Sequence, residues 1–273
     1  MALQQKVVVL GIGKMGGALV KGWISSKLIP ASKITGVRSE PSKVKQTASQ
    51  LKIKVTTNAD SALKGAQLII LGLKPQKLKE VLSQMGELIP KNALIVSIAA
   101  GVSTKQIEKL LPQGCPVVRV MPNTPSLLNA GMAAVAGGKR AKPAHVKLVL
   151  KLFAAVGKSI QVQENQMDWV TAVSGSGPAY IFNMIEAMTS AGVKGGLEEK
   201  VALELVTQTV YGAARMVQET GKSPEELRVQ VTSPGGTTQA ALEKMTELGF
   251  KELIEKAMTA AAERGAELRK LNG

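Results

Sequence analysis

The sequence predicts an α/β first half, a doubly wound parallel sheet, followed by an all-α second half. Three observations carry this. Over residues 1–163, short β-branched runs alternate with helical patterns, the rhythm of a parallel sheet wrapped by helices. After Gln163 those runs stop, and Ala, Met, Leu and Glu recur at helical spacing to the end of the chain. The first strand-like run also opens directly into a glycine-rich turn and then a helix. Domains are therefore expected at 1–163 and 164–273, each long enough to bury its own core in a chain of 273 residues.

Strands are expected over 7–10, 34–37, 55–57, 68–71, 94–98, 117–121, 133–136 and 160–162. Helices fall between them over 15–24, 42–51, 76–85, 104–111 and 142–154. In the second half the spacing predicts helices over 167–173, 179–191, 198–219, 224–229, 237–245 and 250–271. One stretch there, 203–216, is apolar on more than one face, with Leu203, Leu205, Val206, Val210, Ala213, Ala214 and Met216. Such a helix must be buried between neighbours, and a bundle of about 110 residues has few of its own, so a homodimer through this half is expected.

Composition excludes several function classes. The longest apolar runs are of strand length, far short of the ~20 residues of a membrane helix, so no membrane association is expected. The apolar stretch after Lys6 runs into glycines rather than a small-residue cleavage site, which points to a cytoplasmic protein. The lone Cys115 cannot form an intramolecular disulfide, and with a lone His145 it offers neither a zinc site nor a good hydrolase triad; no metal is expected. The net charge is +15, but the basic residues are scattered among acids and aromatics make up only 3%, which argues against nucleic acid. A positive field that draws in a phosphate-rich cofactor and an anionic substrate explains the same charge.

The glycine turn reads Gly11, Ile12, Gly13, Lys14, Met15, Gly16. In its strand–turn–helix context this is the Rossmann-type dinucleotide fingerprint: Gly11 for the tight turn, Gly13 for approach of the pyrophosphate, Gly16 for helix–strand packing. An NAD-specific site carries an acid at the end of the second strand, whereas Arg38 and Ser39 stand there, with Lys43 near and Glu40 two residues on. A guanidinium can clamp a 2′-phosphate, so NADP(H) is expected over NAD(H) as the weaker alternative. Small residues follow the fourth and fifth strands, at Gly72, Leu73, Lys74 and Pro75 and at Ala99, Ala100 and Gly101, leaving room for ribose and nicotinamide. The run from Arg119 to Pro125 closes the sixth strand with two prolines. In the helical half, segments 174–180 and 232–238 pack Gly, Ser and Pro into a helical pattern, and each reads as a break before a helix start able to hold an anion. A helix opening at Gly236, Thr237 and Thr238 suits a substrate carboxylate.

These motifs, GIGKMG, GLKPQ, SIAAGVS, RVMPNTP, SGSGPAY and above all VTSPGGTTQAALEKM over 231–245, make the sequence resemble the pyrroline-5-carboxylate reductase family along essentially its whole length. The resemblance implies a Rossmann-type domain with a C-terminal dimerisation domain, and reduction of 1-pyrroline-5-carboxylate to proline with hydride from NAD(P)H. It further implies that Asn58, Gly72 to Pro75 and Ala99 to Gly101 line the cofactor. Glu164, Ser233, Gly236, Thr237 and Thr238 would meet the substrate. It also suggests rings of dimers. Gln230 departs from the Asn that relatives often carry, so its side chain is not carried over as a contact. An imine arrives already protonated and needs no strong side-chain acid, so catalysis is mostly positioning, with Thr238 offering a hydroxyl to the nitrogen. The readings that compete are a β-hydroxyacid-dehydrogenase-type reductase, for which segment 174–180 lacks the helix lysine, and a non-catalytic NADP-binding regulator, which would not need segment 231–245.

Overall fold

The computed structural model describes residues 3–272. Val7–Leu10 (β1), Leu68–Leu71 (β4) and Leu94–Ser97 (β5) are buried at every position, because helices cover both faces of the sheet and leave neither side for polar residues. Ile34–Val37 (β2), Lys54–Thr56 (β3), Val117–Pro122 (β6), Gly131–Gly137 (β7) and Gly157–Gln161 (β8) complete one eight-stranded sheet, ordered β3-β2-β1-β4-β5-β6-β7-β8.

Alternate residues of each strand point to opposite faces and feed two cores. Val7, Val9, Ile70 and Val96 meet Trp23 of Lys14–Ser25 (α1) and Phe153 of Pro143–Ala154 (α6) on one side. The Trp23 indole N–H donates to Leu152 O at 2.8 Å, so this buried polar group is satisfied. Val8, Leu10, Ile69 and Ile95 meet Leu63 of Ala59–Leu63 (α3), Leu78 and Leu82 of Pro75–Met85 (α4) and Ile107 of Thr104–Lys109 (α5) on the other. Val44–Leu51 (α2) completes the doubly wound set.

Three expectations need correction. The sheet is not parallel throughout: β7 runs antiparallel to β6, pairing Val120 with Val135. Between them lies only a tight 3-10 turn over Thr124–Leu128, too short for the crossover that a parallel return requires. Helix α3 was not expected, because five residues are too few for a periodic signal. The break expected in segment 174–180 is narrower than expected: Met167–Val170 (α7) runs into a π-helical turn at Thr171–Gly175, with Ser176 N–H on Thr171 O at 2.8 Å, and only the bend at Ser176 separates it from a new helix that starts at Gly177.

By contacts the chain divides into two compact units, residues 1–176 with 260–273, and residues 177–259. The second unit contains Gly177–Lys194 (α8), Glu199–Thr220 (α9), Pro224–Gln230 (α10), Thr237–Glu247 (α11) and the first half of Phe250–Leu271 (α12). Gly221 at φ 70° ends α9 in the left-handed conformation, and Ser223 with Glu226 forms a capping box on α10. Among residues 177–259 only Thr189, Ala202 and Leu227 are buried, while Phe182, Leu205, Tyr211 and Leu253 stand more than half exposed. A helical unit with so little core cannot be stable unaided. No helix of the described residues is long and apolar enough to cross a membrane.

Candidate functional site

The carboxyl ends of β1, β4 and β5 lie side by side, and their loops are laced together. Gly72 N–H donates to Leu10 O at 2.8 Å, and Ile98 N–H to Leu71 O at 3.2 Å. Gly11 and Gly72 meet back to back: a Cβ on either would fall 2.8 Å from the other's carbonyl oxygen, and Gly11 has φ +80° besides. Gly16 packs against Val9 Cγ1, at 3.1 Å from where its Cβ would be. Gly13 differs from both, because nothing lies within 4 Å of its missing Cβ. It is the N-cap of α1 and provides no side-chain cap, so the first-turn amides of Lys14, Met15 and Gly16 face open space without intrahelical acceptors. This is an anion cradle.

Beside it lies a cavity of about 510 Å³ lined by Ile12, Gly13, Lys14, Arg38 and Thr47. Arg38, just past the end of β2, is aimed by two hydrogen bonds from Nη1, to Ile12 O at 3.2 Å and Thr47 Oγ1 at 3.0 Å. Ser39 follows it, exposed. Glu40 does not take the place of the missing acid: Lys43 Nζ holds its carboxylate at 2.5 Å, and that bond and charge keep its pKa below the ordinary value. Asn58 caps α3, with Oδ1 accepting from Ser61 N–H at 2.9 Å. Exposed Lys74 stands at the N-cap position of α4 without a side-chain cap bond, Pro75 follows in the first turn, and Ala99 is buried just past the end of β5.

In the other unit Gly235 at φ +69° turns the chain into α11, whose N-cap is Gly236. Gly236 N–H bonds Ser233 O at 3.0 Å, and a Cβ at Gly236 would fall 2.5 Å from Ser233 Oγ. No side chain caps this helix, so the amides of Thr237, Thr238 and Gln239 remain open to an acceptor. Among the described residues neither threonine hydroxyl has a hydrogen-bond partner, and Thr238 is the half-buried one.

Glu164 is engaged in its own unit. Its Oε1 accepts from Arg119 Nη1 and from the Thr104 backbone N–H, both at 3.1 Å. Arg119 is 1% exposed on β6, a site residue that the motifs alone do not mark. A signal existed, because a charge in the middle of the buried run VVRVMP requires a counter-charge. Arg119 Nη2 and Glu164 Oε2 are buried without partners among the described residues.

Two family models match, one described as pyrroline-5-carboxylate reductase dimerisation over residues 164–268, the other as NADP oxidoreductase, coenzyme F420-dependent, over residues 6–101. The pyrroline-5-carboxylate reductase of Methanosarcina acetivorans is 41% identical over 266 residues, covering 97% of this chain and 98% of its own. A pyrroline-5-carboxylate reductase structure from Coxiella burnetii superposes with a TM-score of 0.91 at 34% identity, over 97% of this chain and 99% of that one. A Plasmodium falciparum pyrroline carboxylate reductase with NADP bound gives 0.87 at 28% identity, over 98% and 100%.

Proposed function

Since the chain belongs to the pyrroline-5-carboxylate reductase family, we propose how its own residues divide the work of that enzyme. It reduces the imine 1-pyrroline-5-carboxylate to L-proline by hydride transfer from NAD(P)H, as an oxidoreductase of proline biosynthesis. It is a homo-oligomer acting on a small molecule. The β-hydroxyacid-dehydrogenase and regulator readings are not favoured. The reduced cofactor, NADPH, would supply the hydride when bound and leave as NADP+.

The open space at Gly13 and the free first-turn amides of α1 fit the pyrophosphate, and the aimed Arg38 guanidinium, with Ser39 beside it, fits the 2′-phosphate. Gly72 to Pro75 and Ala99 to Gly101 lie along the same edge and would carry the ribose and nicotinamide, with Asn58 at its far end. Replacing Arg38 with Ala should raise the KM for NADPH roughly 10- to 100-fold, as expected for loss of hydrogen bonds to a charged group, and change that for NADH little. Steady-state kinetics with both cofactors checks this, and equal effects would remove Arg38 from the phosphate site.

The observation that carries the substrate assignment is the uncapped turn at Gly236 followed by two threonine hydroxyls. Its amides would hold the substrate carboxylate, Ser233 and Thr237 would border it, and the Thr238 hydroxyl would accept from the iminium N–H. Glu164 would act near the substrate only through the Arg119 pair and the Thr104 amide that it holds. Thr238→Ala is expected to slow hydride transfer about 10- to 100-fold while leaving NADPH affinity nearly unchanged. Single-turnover rates beside NADPH titration check it, and an unaltered rate would exclude the hydroxyl. NADPH oxidation with and without pyrroline-5-carboxylate tests the whole assignment.

The reading includes a cofactor domain over 1–163 and a dimerisation and substrate domain over 164–273, supported by the family match from residue 164. It also includes a cytoplasmic location and a ring of dimers. Each active site would combine the Rossmann-type domain of one chain with segment 233–238 of its partner. The scarcity of core in residues 177–259 supports interlocked helical domains.

A further inference from the structure

We infer that the C-terminal end of α12, with Asn272 just past it, is a positioning element for the cofactor: Asn272 and Arg269 fix the loop after β5 in its binding shape. The inference rests on the reading above that Ala99 to Gly101 line the cofactor. Its starting point is Gly101, held at φ +66°, where a Cβ would fall 3.2 Å from Leu268 Cβ and 3.6 Å from Arg269 N. The loop adopts a left-handed turn at the place where the C-terminal helix presses on it. Asn272 Nδ2 then donates to Gly101 O at 3.1 Å. Five residues along, Gln106 serves both sides. Its Oε1 accepts from Ser103 N–H at 2.6 Å, which caps α5, and its Nε2 donates to Arg269 O at 2.8 Å.

The helix end is itself anchored. Arg269 donates from Nε and Nη2 to Asp168 Oδ2 at 3.1 and 2.9 Å, and the Asp168 side chain is only 15% exposed. Asp168 lies on α7, one turn beyond Glu164, whose Oε1 holds the Thr104 amide and the buried Arg119. Loop 98–104 is therefore tied at Gly101, at Ser103 through Gln106, and at Thr104, by groups 60 or more residues away in sequence apart from Gln106 itself. These ties are directional bonds to backbone atoms of the loop, so what they determine is its shape. A cofactor that must find this shape already formed binds more tightly than one that must order the loop itself.

The test uses the full-length protein with Asn272→Ala, Asn272→Asp, Arg269→Ala and Arg269→Lys. Asn272→Asp keeps the size but loses the donor, and Arg269→Lys keeps the charge but loses the two-bond geometry. NADPH affinity is measured by direct titration, KM and kcat by steady-state assay, and Tm by thermal unfolding. The Kd for NADPH is expected to rise roughly 5- to 20-fold in Asn272→Ala, Asn272→Asp and Arg269→Ala, and less in Arg269→Lys, as for loss of one or two hydrogen bonds. At saturating NADPH, kcat and the KM for pyrroline-5-carboxylate should stay within about twofold. Unchanged Kd in all four variants overturns the inference while leaving the enzyme assignment standing. A Kd rise that tracks a falling Tm and a rising substrate KM overturns it too, because that is general loosening. Wild-type protein that binds no NADPH would instead overturn the cofactor reading on which the inference depends.

Discussion

Replacing Gly13 with Asp is expected to abolish NADPH binding without unfolding the protein, raising Kd by about a thousandfold or more. The new side chain has room, since nothing lies within 4 Å of the Cβ position, and the backbone at φ −98°, ψ −154° accepts any L residue. Asp is also among the preferred N-cap residues, so its carboxylate would bond the first-turn amides of α1 and leave the helix as stable or more so. Those same amides are the donors proposed for the pyrophosphate. The cofactor would have to displace the carboxylate and then tolerate its charge. Two like charges about 4 Å apart repel by roughly 4 kcal/mol at the effective dielectric of a protein surface, which is about three orders of magnitude in affinity. Titration with NADPH alongside thermal unfolding checks this. A Tm equal to or above wild type with no detectable binding is the expected pair, and retained binding would place the pyrophosphate elsewhere. Gly11 cannot serve for this experiment, because any side chain there meets the Gly72 carbonyl and strains a left-handed turn.

The second large effect is recovery of activity from two damaged subunits. Gly13→Asp chains and Thr238→Ala chains, refolded together in equal amounts, should recover about a quarter of the wild-type sites if each site is shared between chains. Half of the dimers are then mixed, and in each mixed dimer one site collects both lesions and the other none. If every site lies within one chain, no native site can form, and activity cannot exceed the residual rate of the Thr238→Ala subunits, at most a few per cent of wild type. The expectation follows from burial: a helical unit over 177–259 with three buried residues needs a partner to cover Phe182, Leu205, Tyr211 and Leu253. Mixed dimers shown to form by affinity tags on the two chains, yet inactive, would confine each site to a single chain.

Much of the dinucleotide half was legible in the sequence because its information is local. Runs such as VVVL and LIIL are apolar at every position, which a four-residue segment does only when helices cover both faces of its sheet. The glycine spacing of GIGKMG has a separate steric reason at each position, and the structure gives each one: a clash at Gly11, open space at Gly13, a close contact at Gly16. Arg38 was readable by its place at the end of β2, and the uncapped turn at Gly236 by the run of Gly and Thr before a helical pattern. The apolar faces of α9 likewise announced a need for neighbours.

What only the tertiary structure decided lies in contacts between residues far apart along the chain. The direction of β7 depends on the length of the turn that delivers it, and nothing in the residues of β7 encodes that. The π-helical turn at Thr171–Gly175 narrows the expected break to a bend at Ser176, because glycines and serines weaken a helix without obliging it to end. Glu164 reads from sequence as one acid among twenty, and its meaning comes from Arg119, 45 residues earlier. The tie of Asn272 to Gly101 spans 171 residues. Hydrophobic periodicity and turn chemistry are properties of a few consecutive residues and so survive in a bare sequence. Which polar atoms meet across the fold depends on how the packed elements bring them together, so most strands and helices and the cofactor fingerprint were legible in the sequence, while packing alone decided the direction of β7 and the network that holds the β5 loop.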